Sequence, residues 1–81
     1  MTVYLLLVED DVLGNVDIRV FRSEEAAKNK LNEVVNKKIK NYEDLFVMRR
    51  DEKFASIGYK DWDGSDTCAY YVRIVEKNVE K

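Results

Sequence analysis

The chain has 81 residues, 46% of them hydrophobic, with one Trp, five Tyr and three Phe. That supplies a single core and a single domain over 1–81, and it excludes a disordered segment or a separate catalytic domain. Fourteen basic against sixteen acidic residues leave a net charge of −2, too balanced for a strong polyanion binder and too weak for a mimic of DNA.

The charge is unevenly spread. Residues 1–21 carry an excess of three acids, 22–40 an excess of three bases, and the remainder an excess of two acids. Histidine is absent, which removes the commonest general base and zinc ligand. Cys68 is the sole cysteine, so no intramolecular disulfide framework exists. Only three residues precede Tyr4, with no basic segment or small-residue cleavage site, and no apolar run approaches membrane-spanning length. A cytoplasmic location is the expectation.

The first element is Val3 to Val8, apolar on both alternating faces and therefore expected inside a sheet, covered on both sides. Leu13-Gly14-Asn15 signals a turn, and Val16-Asp17-Ile18-Arg19-Val20 then alternates cleanly, so the two runs predict a hairpin. Ser23 reads as a helix N-cap, followed by Glu24 and Glu25 where the helix dipole favours acids. Ala27, Leu31, Val34, Val35, Ile39 and Tyr42 recur at helical spacing, with lysines mostly off that stripe, predicting a helix from about Ser23 to Asn41. Leu45 to Arg50 and Lys53 to Lys60 read as strands around an Asp51-Glu52 turn. After a polar loop centred on Gly64, Cys68 to Lys77 forms a last strand. The predicted fold is α+β in ββαβββ order: a mainly antiparallel sheet of four or five strands with one long helix packed on one face.

The stretch YLLLVEDD, Tyr4 to Asp11, resembles the opening of a response-regulator receiver domain, where a buried strand ends in acids that hold Mg²⁺ beside a phosphorylated aspartate. The resemblance covers seven residues, LLLVEDD, and fails at the eighth. A receiver continues into a helix, whereas this chain turns into a second strand and is too short for five βα units. Glu9, Asp10 and Asp11 are therefore read as the solvated end of a hairpin, where acids also discourage edge pairing.

Asp61-Trp62-Asp63-Gly64-Ser65-Asp66 is rich in oxygen ligands, but its glycine spacing and the absence of a twelfth-position Glu depart from an EF-hand. An Asp-Gly turn closing a hairpin, with Trp62 laid over the sheet edge to cap the core, is the expectation there. The alternative role for Trp62, with Tyr59 nearby, is an anchor for a partner.

If the helix covers the face bearing Ile18, Val20, Val72 and Ile74, the opposite face carries Asp17, Arg19, Tyr71 and Arg73. Arginines around an aromatic on an open sheet would suit single-stranded nucleic acid, although cross-strand charge pairs on an amphipathic surface account for the same residues. No nucleophile here has a histidine base, and no glycine-rich phosphate loop occurs, so the chain is not expected to be an enzyme and no metal or cofactor is assigned.

The segment VFRSEEAAKNKL, Val20 to Leu31, is similar to the strand-to-helix junction of many small bacterial and phage proteins. That likeness covers about a dozen residues and implies a fold element only. The expectation of a small non-catalytic interaction module, an adaptor or inhibitor, rests instead on the lack of a catalytic or metal-binding set beside modest charge and many aromatics. Its partner is another protein or a second copy of itself, the homodimer through the Tyr71 and Val75 side of the last strand being favoured, with no small-molecule substrate. Its candidate surface comprises Arg19, Tyr59, Trp62, Tyr71 and Arg73. The alternative is a nucleic-acid-binding domain using the basic helix or the Arg19, Tyr71 and Arg73 face.

Overall fold

A computed structural model of the protein describes residues 1–80. Five strands and one helix follow the expected order: β1 (Thr2–Asp10), β2 (Asn15–Phe21), α1 (Glu24–Asn41), β3 (Phe46–Arg50), β4 (Phe54–Lys60) and β5 (Asp66–Asn78). The strands form one sheet in the order β2-β1-β5-β4-β3, with antiparallel pairing throughout. β1 and β5 lie inside the sheet, and β2 and β3 are its edges.

Local chemistry explains the turn between the first two strands. The Asp10 carboxylate accepts hydrogen bonds from the backbone N–H groups of Val12 and Leu13, each 3.0 Å long. Gly14 then takes a positive φ of 75° and donates its N–H to the Asp10 carbonyl at 2.7 Å. One of the acids that resembled a phosphorylation pocket is thus the organiser of a hairpin loop.

The helix starts where its cap predicts. Ser23 Oγ accepts the Ala26 N–H at 3.0 Å, with Glu24 and Glu25 in the first turn and Lys38 and Lys40 in the last. Ala27, Leu31 and Val35, each one turn apart, are its buried residues, and they point at the sheet. Leu31 and Val35 join Leu6, Ala55, Ile57 and Val72 in a single fully buried cluster, edged by Val8, Phe21, Val34, Ile39, Leu45, Val47, Tyr70 and Ile74. Burial of side chains this size stabilises by about 1.5–3 kcal/mol each, so this one-sided cluster is the main source of stability. Val3 and Ala69 are also buried, outside the cluster. Tyr42, the last member of the predicted stripe, follows the helix as its C-cap and is exposed.

Two irregularities adjust the far side of the sheet. The register between β3 and β4 shifts at Met48, and that between β4 and β5 shifts at Ala69. Between them sits Gly58, where a Cβ would lie 2.5 Å from the Thr67 carbonyl oxygen and collide with the Met48 sulfur. Glycine is required there because backbone and side chain approach too closely for any other residue.

Candidate interaction surface

Hairpin register decides which side chains share a face, because residues paired side by side point the same way. Leu6 pairs with Arg19 and with Ile74, and Val8 with Asp17 and Val72. These residues therefore point toward α1. Leu5 pairs with Val20 and Val75, Leu7 with Ile18 and Arg73, and Glu9 with Val16 and Tyr71. These point away from it.

This corrects the face assignment made from the sequence. Val72 and Ile74 do lie under the helix, but Ile18 and Val20 are on the opposite face, and Arg19 and Asp17 take their place on the helix side. The expected Arg19, Tyr71 and Arg73 surface is consequently not assembled: Arg19 is separated from Tyr71 and Arg73 by the thickness of the sheet. The physical reason lies in the loop of residues 11–14, whose length sets Asp10 opposite Asn15. A one-residue change in that pairing would exchange every β2 side chain between faces. The first strand also departs from expectation. It is interior, as predicted, but the helix covers only one of its faces, since α1 is the one helix among the described residues.

The uncovered face has an aliphatic half and an aromatic half. On β2, Val16, Ile18 and Val20 are 56%, 57% and 63% exposed, and beside them Leu5 and Leu7 are half-buried. Across β5, Tyr71 stacks on Phe54 with ring centroids 6.0 Å apart, and the Arg49 guanidinium lies 5.2 Å from the Phe54 ring centre. The charges in the middle of this face neutralise each other, Arg73 Nη2 lying 3.2 Å from Glu9 Oε1.

The remaining predicted site residues are dispersed. Arg19 lies on the helix side with its Nε 3.6 Å from Asp17 Oδ2, both largely exposed. They border a cleft of about 480 Å³ between β2 and α1, lined also by Lys30, Glu33, Lys37 and Tyr70. Lys30 is paired with Glu33 at 3.0 Å, and Lys38 sits 4.2 Å over the Tyr70 ring, so part of the basic helix is already engaged. Tyr59 faces a second, shallower cleft with Tyr42, Leu45 and Tyr70, near the C-terminal end of the helix.

Trp62 does not cap the core. It is 94% exposed. The loop around it closes on its own hydrogen bonds: Gly64 N–H to the Asp61 carbonyl at 2.9 Å, and Asp61 N–H to the Ser65 carbonyl at 2.7 Å. That β-turn puts Trp62 at its first central position, where a side chain points outward. Asp63 accepts both the N–H and the hydroxyl of Ser65, and this hydrogen bonding holds its carboxyl below the ordinary value. Among the described residues no three acid or cysteine side chains converge in a geometry suited to a metal ion. No helix among them is long and apolar enough to cross a membrane.

Cys68 is half-buried. Burial, then the neighbouring Asp11 carboxylate, pushes its thiol above the ordinary value, which makes it a poor nucleophile at neutral pH.

Sequence reasoning named Tyr71 and Arg73 on the uncovered face and missed Val16, Ile18, Val20, Leu5 and Leu7. The alternation of β2 was legible, but an apolar row is assigned to the core by default, and only the hairpin register shows that it faces outward.

Fold and surface together define a two-layer α+β domain with one helix over one sheet face and a largely apolar face left open. Comparison with protein-family models, with curated proteins and with solved structures returns no match.

Proposed function

We propose that this chain is a non-catalytic protein-interaction module, a small adaptor or inhibitor of the bacterial or phage kind, working through the uncovered face of its sheet in a cytoplasmic setting. The observation that carries this reading is the row of Val16, Ile18 and Val20, each more than half exposed and continuous with Leu5 and Leu7. Contiguous apolar surface of that kind is costly to leave in water and marks sites of association. Tyr71 beside it is of a residue type that anchors interfaces. The raised thiol of Cys68, in a chain without histidine, argues against nucleophilic catalysis.

The test is a comparison of baits in extract from the source cells. Proteins retained by the wild type and by Lys37→Ala, but lost with Ile18→Glu, support the reading. A retained set that Ile18→Glu leaves unchanged overturns it. The rival reading, nucleic-acid binding through the lysines of α1, requires affinity for single-stranded RNA or DNA that falls steeply with salt. Such affinity, abolished by Lys37→Ala with Lys40→Ala and indifferent to Ile18→Glu, would replace the interaction module.

A further inference from the structure

We infer that the occupant of the uncovered face is a second copy of this chain, packed sheet against sheet about a twofold axis. The inference rests on the proposed reading of that face as an interaction surface and names its partner.

Charge is the first argument. Glu9 and Arg73 are the charges nearest the centre of the face, and they already pair with each other at 3.2 Å. At the margins Arg49 lies over Phe54, Lys60 pairs with Asp66 at 2.8 Å, and Lys77 stands exposed beside Val3 at the end of β5. The centre of the surface therefore has no net sign with which to select an acidic or basic partner. Two such centres can meet without stranding a buried charge, the cationic Arg49 and Lys77 staying at the solvated rim. The small total charge of −2 offers little long-range resistance to such pairing.

Area is the second. The outward positions of β2, β1, β5 and β4 cover on the order of 450 Å² of sheet plane per copy, at ~4.8 Å between strands and ~3.3 Å per residue. Two copies bring on the order of 900 Å² of plane together. Side-chain relief raises the accessible area further, past the roughly 1,000 Å² that a biological interface clears.

Shape is the third. The chain has a radius of gyration of 13.8 Å and extents of 51 × 21 × 18 Å. A compact domain of this length has a radius near 12 Å, so this one is elongated along a single axis, and its fully buried cluster lies on the helix side of the sheet. Face-to-face packing would make four layers, helix, sheet, sheet and helix, with the sheets about 10 Å apart and the aliphatic rows interdigitated between them. Two-fold pairing of identical patches is the commonest way such a surface closes on itself.

Sedimentation equilibrium together with NMR on the wild-type chain tests this. A sample mixing isotope-labelled and unlabelled protein should show intermolecular methyl contacts linking Val16, Ile18 or Val20 of one copy to Leu5, Leu7 or Val75 of the other. The wild type should sediment as a dimer at micromolar concentration. Ile18→Glu should be a monomer with an unchanged circular dichroism spectrum, raising the dissociation constant at least a hundredfold. A wild type that remains monomeric at several hundred micromolar overturns the inference. So does a dimer whose intermolecular contacts lie along the β2 edge or at the Trp62 loop, or one that Ile18→Glu leaves intact. A monomeric wild type does not by itself remove the interaction reading, which stands or falls on the bait comparison.

Discussion

The two faces of the sheet are built from the same residue types in the same strands, yet they do opposite things. On the helix side, Leu6, Ile57 and Val72 meet Leu31 and Val35 and are fully buried. On the other side, Ile18 and Val20 are as apolar and as regularly spaced, and they lie in water. Hydrophobic alternation specifies that a strand has an apolar face. It does not specify what that face will meet. The difference arises because one 18-residue helix covers one side of five strands and nothing in the described chain covers the other.

The sharpest way to test that contrast is to truncate one residue from each face. Leu31→Ala should cost about 2–5 kcal/mol, because the cavity it leaves is enclosed by the sheet and by its helix neighbours. Urea denaturation should show this as a large fall in midpoint at every protein concentration. Ile18→Ala, measured under dilute conditions, should stay within about 0.5 kcal/mol of the wild type, as exposed substitutions do. Equal effects at the two positions would erase the distinction between the faces.

Gly58→Ala is expected to come next in size, at about 1–3 kcal/mol, since the new methyl group would press on the Thr67 carbonyl and the Met48 side chain. Combining it with Met48→Ala should recover part of that loss and no more, because the carbonyl cannot retreat as a side chain can. Thermal denaturation of the two single variants and the double reads the coupling directly.

Ser23→Ala should cost about 1 kcal/mol by removing the acceptor of the Ala26 N–H. The loss falls on the helix that creates the covered face, so hydrogen exchange should quicken most in the first turn of α1 and least in β2.

The smallest effect concerns Cys68. With its thiol raised in the folded state, the contribution to stability is present below the ordinary thiol value and is lost as pH rises through the folded one, because the unfolded thiol ionises first. Alkylation at pH 8 should be slower than for the urea-unfolded chain. Cys68→Ser should remove the corresponding decline in stability above the ordinary thiol value, a small part of any alkaline loss. Native alkylation as fast as in the unfolded chain would show that the thiol is neither shielded nor raised.

Much of this architecture could be read from the residues in order. Ser23 followed by two glutamates, then Ala27, Leu31 and Val35 a turn apart, determined the helix and its buried stripe, because capping and the 3.6-residue period are local rules. The strands and the ββαβββ order followed from alternation and from turns at Gly14 and Gly64. The structure decided what depends on non-local pairing. The hairpin register put Arg19 on one side of the sheet and Tyr71 with Arg73 on the other, so the expected mixed surface dissolved and a more apolar one replaced it. The Asp61–Gly64 turn sent Trp62 outward, where composition alone suggested a cap. Gly58 acquired its meaning only when Met48 and Thr67, distant in sequence, arrived beside it. A sequence states which side chains lie on the same side of a strand, since the backbone repeats every two residues. Which of those sides becomes interior is settled by the one element available to cover it, and that is a property of the folded chain.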